Sequence, residues 1–258
     1  MEPRNISKEE AMDVLTGFVN EGLILLEPET VPGKVNLDGW NPSTQSKEDG
    51  NVAGVIVRYW PTGIKGTESQ IKGGAAPDRL DPRNAMAFVL MCQMLNTAWG
   101  ITELYHLGIS GDFPGGRNDC HGQGRAVDFV GARGMIDGAE VYFTVADDWG
   151  KIHVPGLTTA SGDWPSETGT NTSYRLLAEG APDNSAWQFF QEFYHFAATN
   201  YQDRTDGPEE ASNPTEIGNQ SRFIMHPDHP TSAPGTKNGR EAHKEHIHMQ
   251  IGVTGTET

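Results

Sequence analysis

The sequence predicts an α+β fold, in which helices flank an antiparallel sheet that carries a zinc site and long irregular insertions interrupt the regular elements. Apolar residues recur at helical spacing in separate stretches, and short β-branched runs follow one another with glycine and polar turns between them. The 258 residues also include 31 glycines and 16 prolines, which indicates that much of the chain is loop.

The first two predicted helices have clear start signals. A helix is predicted over residues 8–20, because Ser7 and Glu10 match a capping box and apolar residues follow at helical spacing. Asp81 fits the N-cap of a second helix, which has a proline at its first position and is ended by Gly100. Apolar residues surround this second helix almost completely, so we expect it to be the central buried helix.

Strand-like runs account for much of the remaining regular structure. They are VAGVIVRYW (52–60), ITELYHLGIS, GRAVDFVGA, AEVYFTVA and the C-terminal HIHMQIGV. A third helix with a wide apolar face is predicted to open at Ser185. We therefore expect residues 1–80 to form an N-terminal extension packed on or preceding a main domain of residues 81–258. This domain has insertions near 150–184 and 201–240.

Composition limits the classes of function. The formal net charge of −16 disfavours binding to polyanionic nucleic acid or to an anionic membrane surface. The N-terminus has no basic segment followed by an apolar one, and no run of about 18 apolar residues occurs, so we expect neither a secretory signal nor a membrane span. Cys92 and Cys120 are the only cysteines. Two free thiols in a reducing compartment are favoured, and a single bridge between them is the alternative.

Histidine and aspartate residues in two distant segments suggest a metal site. His121 and Asp128 can form half of a zinc site, because Zn²⁺ binds imidazole nitrogen and carboxylate oxygen. A catalytic zinc site needs a third protein ligand and keeps a fourth position open. His246 and His248 would point to the same face of a strand, so either can supply that ligand. We expect the small residues between His121 and Asp128 to let the backbone pass close to the metal and to a neighbouring strand.

The pattern His-x-x-Gly-x-Ala-x-Asp at residues 121–128 resembles the signature of the LAS metallopeptidases. These comprise the lysostaphin-type enzymes, the D-Ala-D-Ala metallopeptidases and their peptidoglycan endopeptidase relatives. The family completes its zinc site with a histidine near the end of the domain, in a His-x-His pair or a Glu-x-x-His motif. This chain has both, as His246-x-His248 and as Glu245-x-x-His248. One departure is Asp119, where the family usually has serine.

The resemblance extends over residues 80–252 and implies a zinc metallopeptidase with one Zn²⁺ per chain. It assigns the metal to His121, Asp128 and His248, where zinc would activate water and polarise the scissile carbonyl. Family members cut peptide bonds in the stem peptides or cross-bridges of bacterial cell walls. The expected partners are therefore peptidoglycan peptides, and the expected activity is that of a carboxypeptidase or an endopeptidase.

Two adjacent residues are candidates for the general base. Resemblance to the D-Ala-D-Ala enzymes favours Glu245, and resemblance to the lysostaphin-type enzymes favours His246 as base or as donor to the oxyanion. Regular strand alternation favours His246, whereas a strand that begins only there leaves Glu245 in a turn from which it can swing in. We rank Glu245 first. Arg117 is the candidate for binding a substrate carboxylate or the oxyanion, because Asp112 stands where the family places an arginine.

The alternative function is a zinc-binding structural or binding domain without enzymatic activity. Hedgehog signalling domains resemble the same family and keep similar ligands without acting as typical peptidases. The missing signal peptide implies synthesis in the cytoplasm and delivery to the cell wall or periplasm by phage-style lysis or by an injection machine. An endolysin or effector of this kind would have a phage or injection-machine carrier as a further partner.

Two other features of the sequence could be mistaken for metal ligands. His226 and His229 are spaced like a metal pair, but the prolines beside them predict a solvated loop. Cys120 adjoins His121, and strand alternation would point it away from the metal as a small core residue.

Overall fold

The structure is a computed structural model that describes side chains and backbone in most of the chain. The described residues are 6–28, 30–149, 184–201, 224–227, 243 and 245–252, together with the backbone of 151–153 and 172–174. None of the helices in these parts of the chain combines the length and hydrophobicity that a membrane span requires.

The described part of the chain contains four α-helices, and the first two begin at the caps that the sequence predicts. They are α1 (Lys8–Asn20), α2 (Pro82–Trp99), α3 (Val145–Asp148) and α4 (Ser185–Asn200). The predicted capping box of α1 is confirmed, since the Ser7 hydroxyl accepts from the Glu10 amide at 3.1 Å and the Ser7 amide donates to the Glu10 carboxylate at 2.7 Å. Asp81 caps α2, and Gly100 ends it in the left-handed conformation with φ of 58°. The third predicted helix also begins at Ser185, with Asn184 as its N-cap.

The strands form one large sheet and several short pairs. They are β1 (Leu25–Glu27), β2 (Asn36–Asp38), β3 (Trp40–Asn41), β4 (Ser46–Lys47), β5 (Asn51–Val52), β6 (Val55–Tyr59), β7 (Ile101–Gly108), β8 (Ala126–Ile136), β9 (Ala139–Thr144), β10 (Lys151–His153), β11 (Thr172–Tyr174), β12 (Ile224–Met225) and β13 (Ile247–Gln250). The large sheet has the order β12-β13-β8-β7-β6-β5, and β9 also pairs with β8. A 3-10 helix, Glu68–Gln70, lies between β6 and α2.

The prediction of an α+β fold with an antiparallel sheet is confirmed, with one parallel pair as an exception. β6 and β7 run parallel, with Ile56 opposite Glu103. Parallel neighbours need a crossover connection, and α2 lies in the chain between these two strands. The predicted strand over 52–60 is wrong in one respect, because Ala53 and Gly54 adopt φ of 50° and 89° and form the turn between β5 and β6.

β8 is the strand around which the sheet is organised. β7 pairs with one edge, while the other edge pairs with β13 along its first half and with β9 along its second half. Val127 and Phe129 point to the helix-covered side, where the Phe129 ring lies 4.2 Å from that of Phe193 on α4. Because side chains alternate along a strand, Asp128 faces the opposite side. That side carries a smaller apolar cluster around Trp60.

Residues on both sides of residue 80 share the main core. Ala11 and Leu15 of α1 belong to the same buried cluster as the apolar residues of α2, and β5 and β6 belong to the large sheet. The insertions predicted near 150–184 and 201–240 lie mostly outside the described residues. Within the first of them, β10 and β11 pair in antiparallel fashion.

Candidate metal centre

Three of the residues singled out in the sequence converge on one point. His121 Nε2 lies 3.2 Å from Asp128 Oδ2 and 3.2 Å from His248 Nδ1. His248 Nδ1 lies 2.8 Å from the other carboxylate oxygen of Asp128, Oδ1. Their side chains are 18%, 16% and 10% exposed, so the cluster is nearly buried but still reaches the surface.

The spacing of these atoms matches what a metal ion requires. Ligand atoms held about 2.0–2.1 Å from a tetrahedral Zn²⁺ lie about 3.3 Å from one another. The two distances of 3.2 Å from His121 Nε2 agree with this value. The remaining distance of 2.8 Å is shorter because His248 and Asp128 are directly hydrogen-bonded. The three residues could therefore hold a metal ion with little movement.

Strand register brings Asp128 and His248 together. Their Cα atoms are direct partners across β8 and β13, so both side chains rise from the same face of the sheet. On the other edge of β8, the partner of Asp128 is Gly108 of β7. A Cβ atom at Gly108 would lie 3.5 Å from both Asp128 Oδ2 and His121 Nδ1, so the absence of a side chain leaves room beside the ligands. The sequence analysis missed Gly108, because only the pairing with β7 reveals its position.

A tight turn before β8 presents His121 to the cluster. Asp119 stands at the position where the LAS family usually has serine. Its carboxylate accepts a hydrogen bond from the Gly122 amide at 2.7 Å and stabilises this turn. The amide of Gly124 donates to the His121 carbonyl at 2.8 Å. Asp119 therefore has a local structural role that a serine hydroxyl could also perform.

The structure gives a different reason for the small residues of the motif than the one we expected. Gly124 has φ of +68°, and a Cβ atom there would collide with the carbonyl oxygen of Arg79. Ala126 is fully buried and pairs with Gln250 on β13. The neighbour that requires a glycine at residue 124 is the backbone before α2, and the expected approach of the Gly124 backbone to the metal stays a prediction. The expected approach to a neighbouring strand is confirmed at Ala126.

Hydrogen bonds within the cluster shift the pKa values of Asp128 and His248 in opposite directions. Burial by itself raises the pKa of Asp128, but hydrogen bonds from His121 and His248 outweigh burial and hold this pKa well below its usual range. For His248, burial acts in the other direction and lowers the pKa. The hydrogen bond with Asp128 outweighs burial, so the pKa of His248 is raised overall. Both shifts favour the charged form of the group concerned.

His246 lies next to Asp128 and His248. Its Nε2 atom is 3.6 Å from Asp128 Oδ1, and its side chain is 12% exposed. Burial lowers the pKa of His246 to about 4, although the Asp128 carboxylate acts in the opposite direction, so the ring is neutral at neutral pH. The His243 ring lies 5.0 Å from the His246 ring and 5.8 Å from the His248 ring, at the edge of the cluster.

Glu245 lies in the turn before β13, which begins only at Ile247. Its carbonyl oxygen faces Gly63, where a Cβ atom would be 3.5 Å away. Among the described residues, no hydrogen bond or ion pair joins the Glu245 carboxylate to the three candidate ligands. The ranking of Glu245 above His246 as general base stays a prediction.

Arg117 is held in the loop before the motif. Its guanidinium makes two hydrogen bonds to the carboxylate of Asp112, at 2.9 and 3.1 Å, and the side chain is 57% exposed. This pairing lowers the pKa of Asp112 to about 2. Asp112, which stands where the family has an arginine, therefore serves as the partner of Arg117, and the assignment of Arg117 to substrate binding stays a prediction.

Three further expectations concern histidines and cysteines outside the candidate ligands. The expectation of a solvated loop is wrong for His226, which is fully buried with its ring 5.2 Å from that of Trp149, whereas His229 lies outside the described residues. Cys120 is buried, with Sγ 3.7 Å from the carbonyl oxygen of Gly252, as expected for a core residue. Both Cys92 and Cys120 are free thiols.

Comparison with known proteins adds no family assignment. A scan against protein-family models gave no match, and searches of curated proteins and of solved structures found no similar protein.

Proposed function

We propose that this protein is a zinc-dependent hydrolase that cleaves peptide bonds in bacterial peptidoglycan. The observation that carries the proposal is the convergence of two imidazole nitrogens and one carboxylate at 2.8–3.2 Å from one another, on a nearly buried but accessible face of the sheet. The resemblance of residues 121–128 and 245–248 to the LAS metallopeptidases supplies the substrate class.

The ligand set favours zinc and favours catalysis. Nitrogen and oxygen ligands of this kind suit Zn²⁺, and three protein ligands leave one position open, whereas structural zinc sites have four. Among the described residues, no fourth histidine, cysteine or carboxylate joins His121, Asp128 and His248 in the group. This incomplete set supports the hydrolase over the alternative, a zinc-stabilised binding domain of the hedgehog type.

The neighbouring residues have roles that fit hydrolysis. When bound, Zn²⁺ supplies a Lewis acid that polarises a carbonyl group and lowers the pKa of water. The neutral ring of His246 can accept a proton or donate a hydrogen bond to a developing oxyanion, and its Nε2 atom lies 3.6 Å from Asp128 Oδ1. Geometry therefore favours His246 as the acting group, whereas the sequence ranks Glu245 first. Arg117, paired with Asp112, is the candidate for a substrate carboxylate.

The substrate and delivery route belong to the same proposal. A stem-peptide or cross-bridge bond fits the resemblance, with either carboxypeptidase or endopeptidase specificity. Peptidoglycan peptides are then the partners, and a phage or an injection machine would carry the protein to the cell wall. The net charge of −16 favours small peptide substrates over binding along an anionic polymer.

The test combines metal content with release of new amino termini from purified peptidoglycan. We expect about one zinc per chain and an activity that a chelator abolishes and added Zn²⁺ restores. The variant His121→Ala should lose both zinc and activity. The matched control is His195→Ala, which removes an exposed imidazole on α4 and should leave both unchanged.

The outcomes separate the two candidate functions. Zinc binding without hydrolysis of several peptidoglycan types would favour the non-enzymatic domain. Protein without zinc, or zinc fully retained after His121→Ala, would contradict the metal centre itself.

A further inference from the structure

Gln250 lies directly behind His248 on β13. We propose that Gln250 is a positioning residue that fixes the ring of His248 with Nδ1 toward the metal. This inference rests on the proposed metal-binding function and concerns how this chain prepares its ligand.

The two side chains are in contact on one face of the strand. Residues two apart point to the same side, and Gln250 Oε1 lies 2.9 Å from His248 Nε2. Both residues are buried: counted over the whole residue, 8% of His248 and 6% of Gln250 is exposed. Because an amide oxygen can only accept a hydrogen bond, Nε2 must carry the hydrogen. The lone pair available to a metal is then on Nδ1, the atom that faces His121 and Asp128.

The orientation of the Gln250 amide is itself determined. Its nitrogen donates to the carbonyl oxygen of Gly252 at 2.8 Å. The opposite orientation would place two buried oxygen atoms, Gln250 Oε1 and the Gly252 carbonyl oxygen, against each other, which is costly in a buried site. The Gly252 carbonyl therefore fixes which end of the amide faces His248.

The segment that presents His121 also holds this carbonyl in place. The amide of Ile251 donates to the Arg125 carbonyl at 2.9 Å, and Arg125 Nη1 donates to the Ile251 carbonyl at 2.7 Å. Cys120 Sγ lies 3.7 Å from the Gly252 oxygen. The turn that carries His121 thus helps to hold the Gly252 carbonyl in place. This carbonyl orients Gln250, and Gln250 orients His248. Orientation of a ligand ring by such an outer partner is a general way to strengthen metal binding.

The experiment compares two variants that separate the hydrogen bonds of Gln250. Gln250→Met keeps similar length and removes both bonds, whereas Gln250→Glu keeps the acceptor for His248 and removes the donor to Gly252. The dissociation constant for Zn²⁺ is measured on the full chain by competition with a chromophoric chelator, and melting temperature is followed in parallel. Met249→Leu is the control, because Met249 is buried on the opposite face of β13.

We expect Gln250→Met to weaken zinc binding by about 10–100-fold. Gln250→Glu should bind zinc with an affinity closer to wild type than to Gln250→Met, and Met249→Leu should match wild type. A purely structural role would lower the melting temperature of both Gln250 variants without separating their zinc affinities. In the zinc-loaded wild type, ¹⁵N shifts should show a protonated Nε2 and an unprotonated Nδ1 in the ring of His248.

Three results would overturn the inference while leaving the metal centre standing. These are unchanged affinity in Gln250→Met, equal losses in the two Gln250 variants, or the opposite tautomer of His248 in the wild type. When a variant fails to fold, the tautomer measured in the wild type can still refute the inference. Failure of the wild type to bind zinc would overturn both this inference and the proposed function.

Discussion

Replacement of Gly124 by alanine tests the reason for the glycine in the His-x-x-Gly motif. Gly124 has φ of +68°, and an added Cβ would meet the carbonyl oxygen of Arg79 and lie 2.9 Å from the Cα of Leu80. Gly33 has nearly the same φ, +72°, with nothing within 4 Å of its Cβ position. Gly33→Ala is therefore a matched control that keeps the conformational cost and removes the collision.

The two costs can be estimated separately. An alanine in the left-handed conformation costs about 1–2 kcal/mol in both variants. Contact with the Arg79 backbone adds about 1–3 kcal/mol in Gly124→Ala alone, because a backbone atom cannot rotate away as a flexible side chain can. At about 2–4 °C per kcal/mol, Gly124→Ala should melt about 2–12 °C below Gly33→Ala.

Calorimetry of the metal-free proteins measures this difference, and a zinc titration gives a second readout. The Gly124 amide donates to the His121 carbonyl, so a displaced turn should also weaken zinc binding in Gly124→Ala and leave Gly33→Ala unaffected. Equal melting temperatures for the two variants would refute the steric explanation, and equal zinc affinities would refute the link from this turn to the ligand.

Three further predictions follow from the metal centre and the core. When zinc is present at a hundredfold excess over its dissociation constant, chelation should remove about 2.7 kcal/mol of stability and lower the melting temperature by about 5–11 °C. A thermal unfolding scan that chelation leaves unchanged would contradict metal binding to the folded state. His246→Ala should keep zinc and lose about 10²–10⁴-fold in turnover, and if Glu245→Gln suffers that loss instead, the sequence-based ranking was right. Burial raises the pKa of Cys92, and Cys120 is also buried, so neither thiol should react with a disulfide reagent until the protein is unfolded. Reaction of either thiol in the native protein would contradict the packing.

Features encoded by neighbouring residues could be predicted from the sequence. The capping box of α1, the Asp81 cap and Gly100 end of α2 and the start of α4 all depend on contacts within a few residues. The turn at Ala53 and Gly54 was missed, although it is local, because the apolar residues on either side read as one continuous strand.

Features that depend on long-range pairing could not be predicted. The parallel arrangement of β6 and β7, and the position of Gly108 beside the ligands, follow from which strands become neighbours. The convergence of His121, Asp128 and His248 was expected through a family resemblance, because their separation along the chain gives no local signal of contact. Gln250 was missed for the same reason, since its role depends on the position of the Gly252 carbonyl.

The position of the cluster on the sheet bears on access for a substrate. Helices α2 and α4 belong to the main core with Phe129, so these helices close the Phe129 side of the sheet to a peptide. On that face, Gly63 lies against Val130 and near the Glu245 carbonyl, which places this loop beside the turn before β13. The loop after β7 carries the Arg117 and Asp112 pair. His246 lies beside Asp128, with its Nε2 atom 3.6 Å from Asp128 Oδ1. Under the proposed function, a peptide held beside Asp128 would therefore lie within reach of the His246 ring.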